Sequence, residues 1–252
     1  MAALGRGRDW PRLIVPAAVV ALALCYFIDP NPRLDFSAFD TRDAESYLAL
    51  SRALASGVGY TRNLDPQFYI PHTTWPPGLP VLLLPWVALA GMPMDLLAVK
   101  IGMILYGVLG IGLAYCYARR IGGSRFVRLC APLMLGLDPY YWQFSRMALS
   151  EVPTVLWALV ALLLAEIGWA KGAIRPGRAF AFGLIAGLGM LIRGSFFGAL
   201  FLPLVYLLFL RPVPIDRRRI GAYLAYAAGF VLPFALWTIR CHAISNPALG
   251  QD

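Results

Sequence analysis

Long apolar runs separated by short polar clusters dominate the chain. Runs over 13–28, 96–118, 126–141, 152–170, 179–192, 194–210 and 220–239 predict seven membrane-crossing helices. The last is the plainest, twenty residues without a charge, which at about 1.5 Å per residue cover roughly 30 Å of hydrocarbon. The first follows Arg6, Arg8 and Arg12 and so begins like a signal peptide, but it ends in FIDPNP without a small-residue cleavage site and reads as a retained anchor. The run over 79–90 is too short to cross and holds Pro80 and Pro85, so 78–91 is expected as an interfacial or re-entrant element. The segment 29–95 then becomes one outer loop, and loops of that length usually carry function. A second juxtamembrane helix is expected within it near 43–56. Asp43, Tyr47, Leu50 and Leu54 recur at helical spacing on one face, Asp40 or Thr41 can cap the start, and Gly57 with Gly59 can stop it. The expected fold is all-α, a single polytopic membrane bundle of about seven helices.

Composition and charge narrow the reading. With 60% hydrophobic and 14% charged residues the chain is too apolar for a soluble domain. The 22 basic against 13 acidic residues do not indicate a nucleic-acid partner, because the basic residues sit in short clusters between apolar runs. Fourteen of the 22 fall in the N-terminus and the loops 119–128, 171–178 and 211–219, all on one side of a seven-helix topology, and ten of the 13 acids fall on the other. The positive-inside rule then puts the N-terminus in the cytoplasm and the C-terminus outside. Four cysteines without C-x-x-C spacing predict neither a disulfide framework nor a structural zinc. Gly183 and Gly187, and Gly107, Gly110 and Gly112, read as helix-packing positions. The chain ends soon after its last apolar run, which leaves room for a longer protein truncated at its C-terminus.

The outer loop places a carboxylate, Asp43, at the start of an amphipathic helix. On physics alone this is equally a helix lying on the membrane, Asp43 complementing its dipole and Asp40 capping it. Glu45 should point to another face. Further along come G-x-G-Y at 57–60, WPPGLP at 75–80, LDPYYWQFSRMALSEVP with Asp138, Arg146 and Glu151, and GLIAGLGMLIRGSF with Arg193. In that order these elements resemble the GT-C superfamily of membrane glycosyltransferases that use polyprenyl-phosphate sugars. The resemblance is to the bacterial protein mannosyltransferase and aminoarabinose transferase relatives, of glycosyltransferase family 39 type.

The resemblance implies an inverting transfer of a hexose or pentose from a polyprenyl-phosphate donor to a lipid, glycan or protein acceptor. It places the chemistry at the periplasmic or extracytoplasmic face of a bacterial inner membrane. By motif the general base maps to Asp43, with Asp40, Glu45 and Glu151 as acceptor or metal candidates; some relatives bind a divalent metal ion near the equivalent acids. Lipid phosphate needs positive charge, for which Arg193, Arg146, Arg62 and His72 are the candidates. Arg193 stands out because it interrupts an apolar stretch. Tyr47, Tyr60 and Trp75 are candidates for lining the sugar or lipid site. Trp75 is also a departure, since the aminoarabinose branch has a lysine immediately before its proline pair. The rival reading is a noncatalytic polytopic module, a transporter fragment or scaffold.

Overall fold

The structure is a computed structural model that describes residues 10–26, 42–65, 67, 69–91, 96–169, 174–205 and 216–245. In chain order these form α1 (Trp10–Cys25), α2 (Arg42–Ala55), α3 (Gly78–Ala90), α4 (Leu96–Arg120), α5 (Arg125–Gly136), α6 (Pro139–Phe144), α7 (Glu151–Trp169) and α8 (Pro176–Ile192). A 3-10 helix (Gly194–Phe201), α9 (Leu202–Val205) and α10 (Arg217–Ser245) follow. The bundle is all-helical; the described residues add only an isolated bridge between Thr61 and Pro71. Helices α4, α7 and α10 are long and apolar enough to cross a membrane, and α3, α8 and the stretch Gly194–Val205 are shorter apolar helices. The protein is a multi-pass membrane protein.

Close backbone approach holds the second half together. Gly183 and Gly187 of α8 lie against the α10 backbone at Tyr226 and Phe230, and Gly229 of α10 lies against the Phe180 carbonyl. A Cβ at any of the three would fall on backbone atoms, so the small side chains are what lets the helices approach and gain dispersion contact. Gly183 with Tyr226 and Gly187 with Phe230 advance together along the two helices, which makes α8 and α10 parallel. Helix α7 runs opposite to α8, the Trp157 indole N–H donating to the Ile185 carbonyl at 2.7 Å and Gly168 facing Phe182.

These directions sort the charges. The end of α4 and the starts of α5, α8 and α10 carry Arg119, Arg120, Arg125, Arg128, Arg175, Arg178 and Arg217 to Arg219, and form a basic end. The ends of α1, α5, α8 and α10, the start of α7, helix α2 and the loop before α3 meet at the other. There the Tyr26 hydroxyl donates to the Gly136 carbonyl at 2.8 Å, and Arg240 donates to the His72 carbonyl at 3.0 Å.

Two expected spans differ from the single helices the apolar runs suggested. The run over 126–141 breaks after Gly136: Asp138 accepts from the Tyr141 backbone N–H at 2.6 Å and Pro139 opens a new helix, α6. The remaining α5 has 12 residues, about 18 Å long and short of the ~30 Å hydrocarbon thickness. The run over 194–210 begins as a 3-10 helix after an extended Arg193 and becomes one α-helical turn, Leu202–Val205. Gly194, Gly198 and Pro203 disfavour a continuous α-helix there; positions 206–210 lie outside the described residues.

Candidate active site

Helix α2 is oriented by what it buries. Ala44, Tyr47 and Leu48 pack against Leu79, Leu83 and Val87 of α3, Val99 and Met103 of α4, and Ala148. Positive φ at Gly57 and Gly59, the left-handed region glycine tolerates, ends the helix and turns the chain. With this face inward, Asp43 is half-buried one turn before Tyr47, and Glu45 is exposed on another face. Asp40 lies outside the described residues.

Tyr47 is the meeting point. It is 4% exposed, its ring lies 5.4 Å from that of Trp75, and the Ser150 side chain acts on its hydroxyl. Burial first, then the charges of Asp43 and Glu151, hold its phenol above the ordinary range, with Ser150 and Arg193 opposing. Tyr47 therefore keeps its proton, and acids from α2 and α7 and the arginine closing α8 all act on one hydroxyl. Arg193 Nη1 donates to Glu151 Oε1 at 2.5 Å and to Ser150 Oγ at 3.2 Å. The other Glu151 oxygen is buried without a hydrogen-bond partner. Glu151 also lines a cavity of about 670 Å3 between α4, α5, α6 and α7, whose other walls include Tyr117, Met134, Tyr141 and Val155. Charged groups thus stand at one end of an apolar space reaching towards the basic end.

Beside it, an aromatic clamp ties the segment between α2 and α3 to α10. The Tyr60 hydroxyl donates to the Trp75 carbonyl at 2.7 Å, and the Tyr60 ring meets Trp237 edge-on at 5.5 Å. The Arg240 guanidinium lies 4.9 Å from the Trp237 ring and 5.6 Å from Tyr60. His72 Nε2 accepts the Trp75 backbone N–H at 3.1 Å, which needs the neutral ring; burial, then Arg62 and Arg240, push its pKa down. Arg62 is exposed and reaches His72 only electrostatically.

Of the expected residues, Asp43, Tyr47, Glu151 and Arg193 come together, with Trp75 packed on Tyr47 and Tyr60 and His72 in the adjoining clamp. Arg146 does not join them: it is 8% exposed, lies 3.4 Å from the Trp142 ring, and donates to the Tyr26 and Trp142 carbonyls. Among the described residues no three His, Cys, Asp or Glu side chains gather as a metal site, and one Glu151 oxygen is already taken by Arg193. Asp40, a further candidate ligand, lies outside the described residues, and no step is routed through a metal. Ser150 is the participant the sequence reading missed; it stands immediately before the first residue of α7, where a helix-start serine usually signals no more than a cap.

A helical membrane bundle with acids and an arginine converging at one end, above an apolar cavity, defines a membrane-embedded polar site. The family model for dolichyl-phosphate-mannose-protein mannosyltransferases matches residues 75–237, well over half of the chain, and the chain belongs to this family. It is a membrane glycosyltransferase of the GT-C type. No curated protein and no solved structure matches it. The matched stretch contains Trp75, Arg146, Ser150, Glu151 and Arg193, while Asp43, Tyr47, Tyr60 and His72 precede it.

Proposed function

We propose that the protein is an inverting glycosyltransferase moving a hexose or pentose from a polyprenyl-phosphate donor to an acceptor at the extracytoplasmic face of an inner membrane. The observation that carries this is the convergence of Asp43, Tyr47, Glu151 and Arg193, drawn from three helices, with Glu151 also lining the 670 Å3 apolar cavity. The basic end, facing the cytoplasm by the positive-inside rule, leaves this site outside.

The parts suit the chemistry. An acceptor hydroxyl attacks the sugar C1 as the bond from C1 to the phosphate oxygen breaks, so negative charge grows on the lipid phosphate. Asp43 takes the acceptor proton. Arg193 meets the leaving phosphate with its Nη2 and Nε groups, which have no protein acceptor among the described residues. Tyr47, protonated, offers a hydroxyl to a sugar or phosphate oxygen, and the cavity receives isoprene units of the donor. In proteoliposomes with a radiolabelled polyprenyl-phosphate hexose and a hydroxyl-bearing acceptor lipid, the wild type should transfer label. Asp43→Asn should abolish transfer while inserting and melting normally; full turnover in that variant rejects Asp43 as the base.

A further inference from the structure

We propose that Ser150 is a positioning residue that fixes Arg193 and Tyr47 relative to each other, and through them joins the helix bearing Asp43 to the phosphate-binding end of α8. This rests on the glycosyltransferase reading above and assigns a role within the same site. Ser150 is 6% exposed, directly before α7, and its carbonyl accepts from both the backbone N–H and the hydroxyl of Thr154. Its own position is therefore set by the helix it precedes.

The proton count shows what its hydroxyl adds. Arg193 Nη1 carries two protons, and two acceptors meet it, Ser150 Oγ at 3.2 Å and Glu151 Oε1 at 2.5 Å. Two acceptors on consecutive residues of one rigid element define the plane of a guanidinium, where one acceptor would leave it free to turn. With Nη1 so occupied, Nη2 and Nε form the remaining edge, the two-pronged side that suits a phosphate. The same Ser150 side chain also acts on the Tyr47 hydroxyl, and the Tyr47 ring packs on Trp75. One buried hydroxyl thus spans α2, α7 and α8. Glu151 cannot replace it, because the half-exposed ion pair it makes with Arg193 is a weak tether by itself.

Removing the hydroxyl should misplace both groups without unfolding the bundle. Ser150→Ala should lower transfer about 10- to 100-fold, in the range that small misplacements cost, with the loss in kcat. Ser150→Thr, which restores a hydroxyl, should recover most of it. In an Arg193→Ala background Ser150→Ala should add little, because the two act as a unit. An activity-independent reading comes from fluorotyrosine NMR, with the Tyr47 signal assigned by its loss in Tyr47→Phe: the signal should move in Ser150→Ala and return in Ser150→Thr. Ser150→Cys, which keeps the volume and weakens the hydrogen bond, takes the place of Ser150→Ala if that variant does not fold. An unmoved Tyr47 signal, or full additivity with Arg193→Ala, overturns the proposal even when the wild type transfers sugar. A moved signal in a protein that uses no polyprenyl-phosphate sugar upholds the positioning role and overturns the proposed donor instead.

Discussion

Arg146 and Arg193 stand at the same end of the bundle, and the structure uses them in opposite ways. Arg146 is sequestered at the corner of α1 and α6. Its guanidinium lies 3.4 Å from the Trp142 ring, and its donors reach the Trp142 carbonyl at 2.8 Å and, past the end of α1, the Tyr26 carbonyl at 3.1 Å. It thereby satisfies an acceptor that a helix terminus leaves open and ties two elements together. Arg193 ends α8 with a side chain 43% exposed and with its contacts on one nitrogen. An arginine surrounded by apolar sequence is a functional hypothesis by default, but what decides between site and strut is how many of its donors the protein itself consumes.

The sharpest way to break this comparison is to delete each charge. Arg193→Ala should cost transfer about 10²- to 10³-fold, the scale for losing one donor to developing oxyanion charge, while its melting temperature in detergent hardly moves because exposed ion pairs contribute below about 1 kcal/mol. Arg146→Ala should do the reverse. It strands two carbonyls and uncovers an aromatic face, a loss of about 2 kcal/mol, seen as a lower melting temperature, with transfer per folded molecule within about twofold. If Arg146→Ala lost transfer at unchanged stability, the assignment of the two roles would be inverted.

Arg193 entered as a candidate because it interrupts an apolar stretch and Arg146 by the motif it sits in, and neither signal reports what surrounds the side chain. Helical spacing tells which face a side chain leaves from but not what waits there, so Arg146 looked available until the carbonyl of Tyr26, 120 positions earlier, was brought beside it. Helix α2 was readable end to end because its signals are local: an acidic first turn, Asp43, Tyr47, Leu50 and Leu54 at four-three-four spacing, and glycines whose positive φ ends the helix. The glycines of α8 were readable as packing positions, though not their partner, α10. Ser150 was invisible because one serine before a helix has a common local use, and only the meeting of α2, α7 and α8 gives its hydroxyl another. The break at Asp138 was missed where hydropathy runs on through a change of backbone, which capping by Asp138 produces at little hydrophobic cost, and the 3-10 start of the run over 194–210 leaves no mark in hydropathy either.

The smallest expected effect separates the two corners by pH. His72 serves the Arg193 side, accepting the Trp75 N–H at 3.1 Å, and Trp75 in turn packs 5.4 Å from Tyr47. Burial, then Arg62 and Arg240, lower the His72 pKa in the folded protein, so the unfolded chain takes up the proton more readily. Stability from the neutral ring is therefore complete above the ordinary value of 6.5, is lost as pH falls from there towards the folded pKa, and levels off below it. His72→Gln keeps a hydrogen-bond acceptor and removes the titration. Thermal melts between pH 7 and pH 5 should show a drop in wild type and in Arg146→Ala that is smaller in His72→Gln, and transfer should follow the same order because a protonated ring releases Trp75 from its tie. Equal drops in wild type and His72→Gln would mean that the acid sensitivity lies elsewhere and that the clamp on Trp75 holds without the imidazole.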